Sequence, residues 1–123
     1  MQPQNQSATG PAQDVGEIRR KPRFKLAVDI IVHSQSCGPL KGRATDISEV
    51  GIGVALEEDI PLGEVVTLHI PLPSGAVTIP ATVRHRSSFF RYGFEFIGSD
   101  STLEILQCTC RQLAVEQSAS VRP

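Results

Sequence analysis

A chain of 123 residues, 40% of them apolar, holds enough material for the core of one domain rather than two. Its 12 Lys+Arg against 13 Asp+Glu exclude a global basic field, so any phosphate or nucleic-acid chemistry must come from a local cluster. No apolar run approaches the roughly 18 residues of a membrane-spanning helix, and Met1 to Ser7 carries neither the basic nor the apolar part of a secretory signal. The expectation is a cytoplasmic protein with no membrane insertion.

Residues 1–16 are rich in Gln, Ser, Pro, Gly and Ala and nearly empty of large apolar groups, which predicts a disordered N-terminal arm. The same reasoning predicts a disordered tail over 117–123 and leaves 17–116 as the folded domain. Phe24, Leu26, Val28, Ile30 and Val32 alternate with more polar residues, the period of a half-buried strand. Ser36-Cys-Gly-Pro39 breaks it. Leu40 to Ile47 is a more polar second strand, and Ile52, Val54 and Leu56 supply a third. After the Pro61-Leu-Gly63 turn come Val66, Leu68 and Ile70. Pro73-Ser-Gly75 turns again, into Val77, Ile79, Ala81 and Val83. Pro80 in that run lacks an amide donor, which predicts an edge position or a bulge. Tyr92, Phe94 and Phe96 mark a sixth strand.

One helix follows. Ser101-Thr-Leu-Glu104 has the form of a capping box, and Leu103, Leu106, Cys110 and Leu113 make an apolar stripe that would lie on the core as a lid. Cys37, Cys108 and Cys110 cannot all pair, their spacing does not suit zinc, and at least one is expected to be a buried thiol. The three histidines share no ligand spacing, so no metal site is expected.

Two segments carry candidate chemistry. Glu17-Ile-Arg-Arg-Lys-Pro-Arg23 puts four cations into five residues, Arg19, Arg20, Lys21 and Arg23. In a turn or an extended arm, Arg19 and Arg23 can converge on one anion. By itself the run reads more readily as a solvated basic stretch than as a site. In Asp46-Ile-Ser-Glu-Val-Gly51, Ile47 faces the core while Asp46 and Ser48, on the other parity, face outward together. Gly51 and Gly53 allow a positive φ or the close approach of a ligand. By itself this segment reads as a β-turn whose Asp and Ser bond their own backbone.

The pair says more. Arg-x-x-x-Arg at 19–23, a strand, then Asp-x-Ser-x-x-Gly at 46–51 closely resembles the PilZ domain family. Pro61-Leu-Gly63, Ile79-Pro-Ala-Thr-Val83 and Tyr92-Gly-Phe-Glu-Phe96 follow in that family's order over residues 17–115. The resemblance implies an all-β fold, a six-stranded antiparallel β-barrel with a C-terminal helix. It also implies a ligand, the second messenger cyclic di-GMP, held by Arg19, Arg20, Arg23, Asp46, Ser48, Gly51 and Gly53. The chemistry suits that ligand. An arginine fork matches guanine O6 and N7 and stacks on purines. A carboxylate such as Asp46 accepts from guanine N1–H and N2, and Ser48 can bond a base edge or a phosphate. Gly51 keeps a side chain out of the base's way. The arm would order on the ligand, and an unidentified downstream protein would read the new surface.

Rival readings are narrower. Ser48 lacks a nucleophile elbow and no phosphate loop is present, so no enzyme activity or cofactor is expected. Aromatics are 5% of the chain, too few for a DNA- or RNA-binding barrel that stacks bases. An adaptor of the same fold that binds a protein and no nucleotide is the remaining alternative.

Overall fold

The computed structural model describes residues 21–87, 90–98 and 100–121. Among the described residues seven strands precede one helix: β1 (Phe24–Lys25), β2 (Asp29–Ser34), β3 (Gly38–Ile47), β4 (Gly51–Ala55), β5 (Val65–Ile70), β6 (Val77–Ser87), β7 (Arg91–Phe96) and α1 (Asp100–Val121). All pairings are antiparallel, in the order β3-β2-β5-β6-β7-β4, and β4 returns to β3 to close a six-stranded barrel with β1 outside it. Closure leaves no bare edge among these six strands.

Alternation drives the architecture. Ile30, Val32, Ile52, Val54, Val66, Leu68, Ile70, Ile79, Val83 and Phe94 all point inward and are buried. The strand expected over 24–32 is broken in two, yet both pieces lie along β3. Between them Leu26 N donates to Thr45 O and Ala44 N donates to Val28 O, so inward parity survives the break. Pro80 sits neither on an edge nor in a bulge. It faces Thr67 on β5, and its carbonyl accepts from Ile97 N just past the end of β7, where a missing amide costs little. The β6 irregularity falls later, between Val83 and His85.

Leu106 and Leu113 of α1 join the barrel core, with Leu103 packed against it. The helix is formed at Asp100, so Ser101 stands in its first turn rather than at its cap. It also runs past 116, through five residues assigned from composition to the tail. Gln117 explains this. Its side-chain amide accepts from Lys25 N at 3.2 Å and donates to Lys25 O at 2.8 Å, imitating a neighbouring strand. Cys110 is the buried thiol, with its pKa pushed up to about 11, chiefly by burial and then by the nearby Glu49 carboxylate. Cys37 and Cys108 are exposed. No helix among the described residues is long and apolar enough to cross a membrane.

Candidate ligand site

β1 is only two residues long, but it sets the site. Its register places Lys25 opposite Asp46 and Phe24 opposite Ile47, which brings the preceding Arg23 over the end of β3. Arg23 Nε and Nη2 both donate to Asp46 Oδ1, at 2.9 and 2.6 Å. Thr45 Oγ1 donates to Oδ2 at 3.3 Å. The pair is open to solvent, with Arg23 and Asp46 side chains 45% and 35% exposed.

On its other side Asp46 faces Gly53 of β4, after a register shift between Ala44 and Asp46. That shift matters, because Ala44 and Ile47 are both buried and only a bulge lets Asp46 between them turn outward. A Cβ on Gly53 would stand 3.0 Å from both carboxylate oxygens and from Thr45 Oγ1. Gly53 therefore makes room for the carboxylate of Asp46.

Gly51 and Ser48 behave differently from the sequence expectation. A Cβ on Gly51 would meet Phe94 O of β7 at 2.5 Å. The close approach there is made by the protein's own backbone, without a positive φ. Ser48 does not face outward beside Asp46. It is fully buried, and its hydroxyl accepts from Val50 N at 3.1 Å and Gly51 N at 3.2 Å. Ser48 N in turn donates to Gly51 O at 2.9 Å. Period-two parity ends at Ile47 because the chain turns there, and Ser48 belongs to the turn. Arg19, Arg20 and the arm over 1–16 lie outside the described residues.

The structure thus brings together Arg23, Asp46 and Gly53, and gives Ser48 and Gly51 the task of holding β3, β4 and β7 in place around them. Sequence reasoning missed Thr45, the second donor to the carboxylate. Beyond Gly53 the row of paired residues continues to Gly93 of β7 and His85 of β6.

The PilZ domain family matches residues 17–112. The chain belongs to the PilZ domain family. No curated protein matches it in sequence. Among solved structures it resembles the PilZ domain of YcgR with c-di-GMP from Escherichia coli, with 19% identity and a TM-score of 0.64 over 83% of this chain and 95% of that one. It also resembles the PilZ domain of CeSA from a cellulose-synthesizing bacterium, with 15% identity and a TM-score of 0.59 over 78% and 98%. A third likeness is to the MrkH–c-di-GMP complex of K. pneumonia, with 16% identity and a TM-score of 0.68 over 83% of this chain and 55% of that one. At such identities these likenesses establish the fold.

Proposed function

We propose that this PilZ domain is a cytoplasmic receptor for cyclic di-GMP that signals through a partner protein. The observation that carries this reading is the solvent-open Arg23–Asp46 pair on the barrel wall. Each partner has the geometry for one side of a guanine. The Asp46 carboxylate suits the N1–H and N2 donors, and the Arg23 fork suits O6 and N7 or a phosphate. Two PilZ-fold proteins of similar structure were solved with the same ligand, which supports the choice of nucleotide.

In this reading the ligand takes over bonds that Arg23 and Asp46 now make to each other. Arg19 and Arg20 supply further cations, and the arm that carries them orders around the bound phosphates. Gly53 leaves space beside the carboxylate, while Ser48 and Gly51 contribute by shaping the turn. The ordered arm offers a downstream protein a surface that the free domain lacks.

Titration calorimetry with cyclic di-GMP, GTP and cyclic di-AMP tests the assignment. Saturable binding of cyclic di-GMP alone is expected. A well-folded protein that binds none of the three would instead be an adaptor that recognises only protein, the reading favoured by the fact that Arg23 and Asp46 already satisfy each other.

A further inference from the structure

Across the barrel from the β4–β7 pairing, β2 and β5 bring two histidines together on the outer wall. The register sets Ile31 opposite His69 and His33 opposite Thr67, so His33 and His69 are diagonal neighbours. Both face outward, because Val32 and Leu68 beside them are buried in the core. Their ring centroids lie 4.6 Å apart, with the planes inclined at 71°. Nothing in the sequence spacing joins these two residues; the strand pairing does.

His69 Nδ1 lies 3.1 Å from Thr78 Oγ1 on β6. In the tautomer whose Nδ1–H donates to that hydroxyl, Nε2 keeps its lone pair, and an outer partner of this kind orients a ligating imidazole. His33 is exposed. His69 lines a cleft of about 280 Å³ with Asp29, Ile31, Pro71 and Thr78, which leaves room for several waters. Asp29 is taken by Arg43 at 2.8 Å, and among the described residues no third His, Cys, Asp or Glu completes a cluster with the pair.

We infer that His33 and His69 form a two-histidine site for a late first-row divalent cation such as nickel or zinc, with water filling the remaining positions. Imidazole nitrogen suits these ions, whereas magnesium and calcium take oxygen. The spacing fits. Metal–nitrogen bonds of about 2.0–2.1 Å place two ring centroids roughly 4.5–5 Å apart when the bonds meet at about 90–105°. The observed 4.6 Å lies inside that range. Both ligands also stand on paired strands of a closed barrel, so little freedom is left to lose on binding. The competing account is packing alone, since edge-to-face rings attract one another with no ion between them. Packing is indifferent to metal, which separates the two. The site is independent of the nucleotide reading, because Arg23 and Asp46 lie where β1, β3 and β4 meet.

The test is calorimetric titration of the full chain with nickel chloride, with magnesium chloride as control, for wild type, His33→Gln and His69→Gln. Wild type should take up one nickel ion per chain and ignore magnesium. Its melting temperature should rise with nickel, since the ion binds the folded chain. Each glutamine variant should weaken nickel binding at least about 10-fold, the smallest loss typical even of outer-shell changes. Melting without metal checks that both variants are folded, as expected for side chains on the outer wall. Wild type that binds no nickel, or binds magnesium as well, overturns the site. So does full nickel affinity in either variant, which would place the ion on other groups such as His85 or the exposed Cys37 and Cys108.

Discussion

Arg23 places two nitrogens, Nε and Nη2, on a single oxygen of Asp46, leaving the other oxygen to Thr45. An exposed pair of this kind adds only about 0–1 kcal/mol to stability. In the proposed reading its worth is in holding two recognition groups in register without locking them. Replacing the fork by a point charge should expose this. Arg23→Lys should melt within a few degrees of wild type yet bind cyclic di-GMP roughly 10-fold more weakly or worse, since lysine keeps the charge and loses the bidentate geometry. Paired calorimetry and thermal melting check it, and lysine binding as well as arginine would mean that charge alone suffices.

Ser48→Ala should act mainly on the fold. The hydroxyl accepts from two backbone amides in a buried turn, and its loss leaves both unpartnered at a cost of about 1–3 kcal/mol. Thermal melting should show a fall of several degrees. Unchanged melting with lost affinity would show instead that the hydroxyl is spent on ligand.

Gly51 and Gly53 should separate in the same way. In Gly51→Ala the new methyl collides with a strand carbonyl, so the barrel must shift and the melting temperature must drop. In Gly53→Ala it meets the end of a side chain, and Asp46 can swing aside. That variant should stay folded and lose affinity. Measuring both quantities on both variants tests the division.

Much of the barrel was legible in the sequence because a half-buried strand must alternate, and Ile30, Val32, Ile52, Val54, Leu68, Ile79 and Phe94 do so. The pairings of β2 with β5 and of β4 with β7 were not, since partners distant in sequence leave no local trace, and the closed barrel came from the family resemblance. The outer face of Asp46 was legible only by counting back from Ile47, because the bulge after Ala44 resets the parity of β3. Ser48, one residue beyond the end of β3, was given the parity of a strand that had already stopped. His85 shares parity with buried Val83 and would point inward but for the bulge between them, so no alternation rule could put it outside. The helix beyond 116 was hidden because Gln117 works through a polar side chain on Lys25, and composition alone reads such residues as tail.

Glu64 should give the fold a pH signature. Its carboxylate accepts from Ser34 Oγ and Ser36 Oγ and from the amides of Gln35 and Ser36, led by the Ser34 bond, and these hold its pKa below 4.5. A carboxyl depressed in the folded state stabilises it above the unfolded pKa, and that stability is lost as pH falls through the folded value. The melting temperature should therefore decline as pH drops below about 4.5, and Glu64→Gln should flatten that decline. An identical acid slope in the variant would assign the effect to other carboxylates.

Calorimetric titration of wild type and Asp46→Ala with cyclic di-GMP bears most directly on the central claim. The alanine variant removes the carboxylate paired with Arg23, which in the proposed reading meets a guanine edge, and it deletes no core contact. Losing a charge-assisted contact should weaken binding about 10- to 150-fold, with a melting temperature within a few degrees of wild type. Equal affinity in the two proteins, or no binding by wild type, would contradict the assignment of this site to cyclic di-GMP.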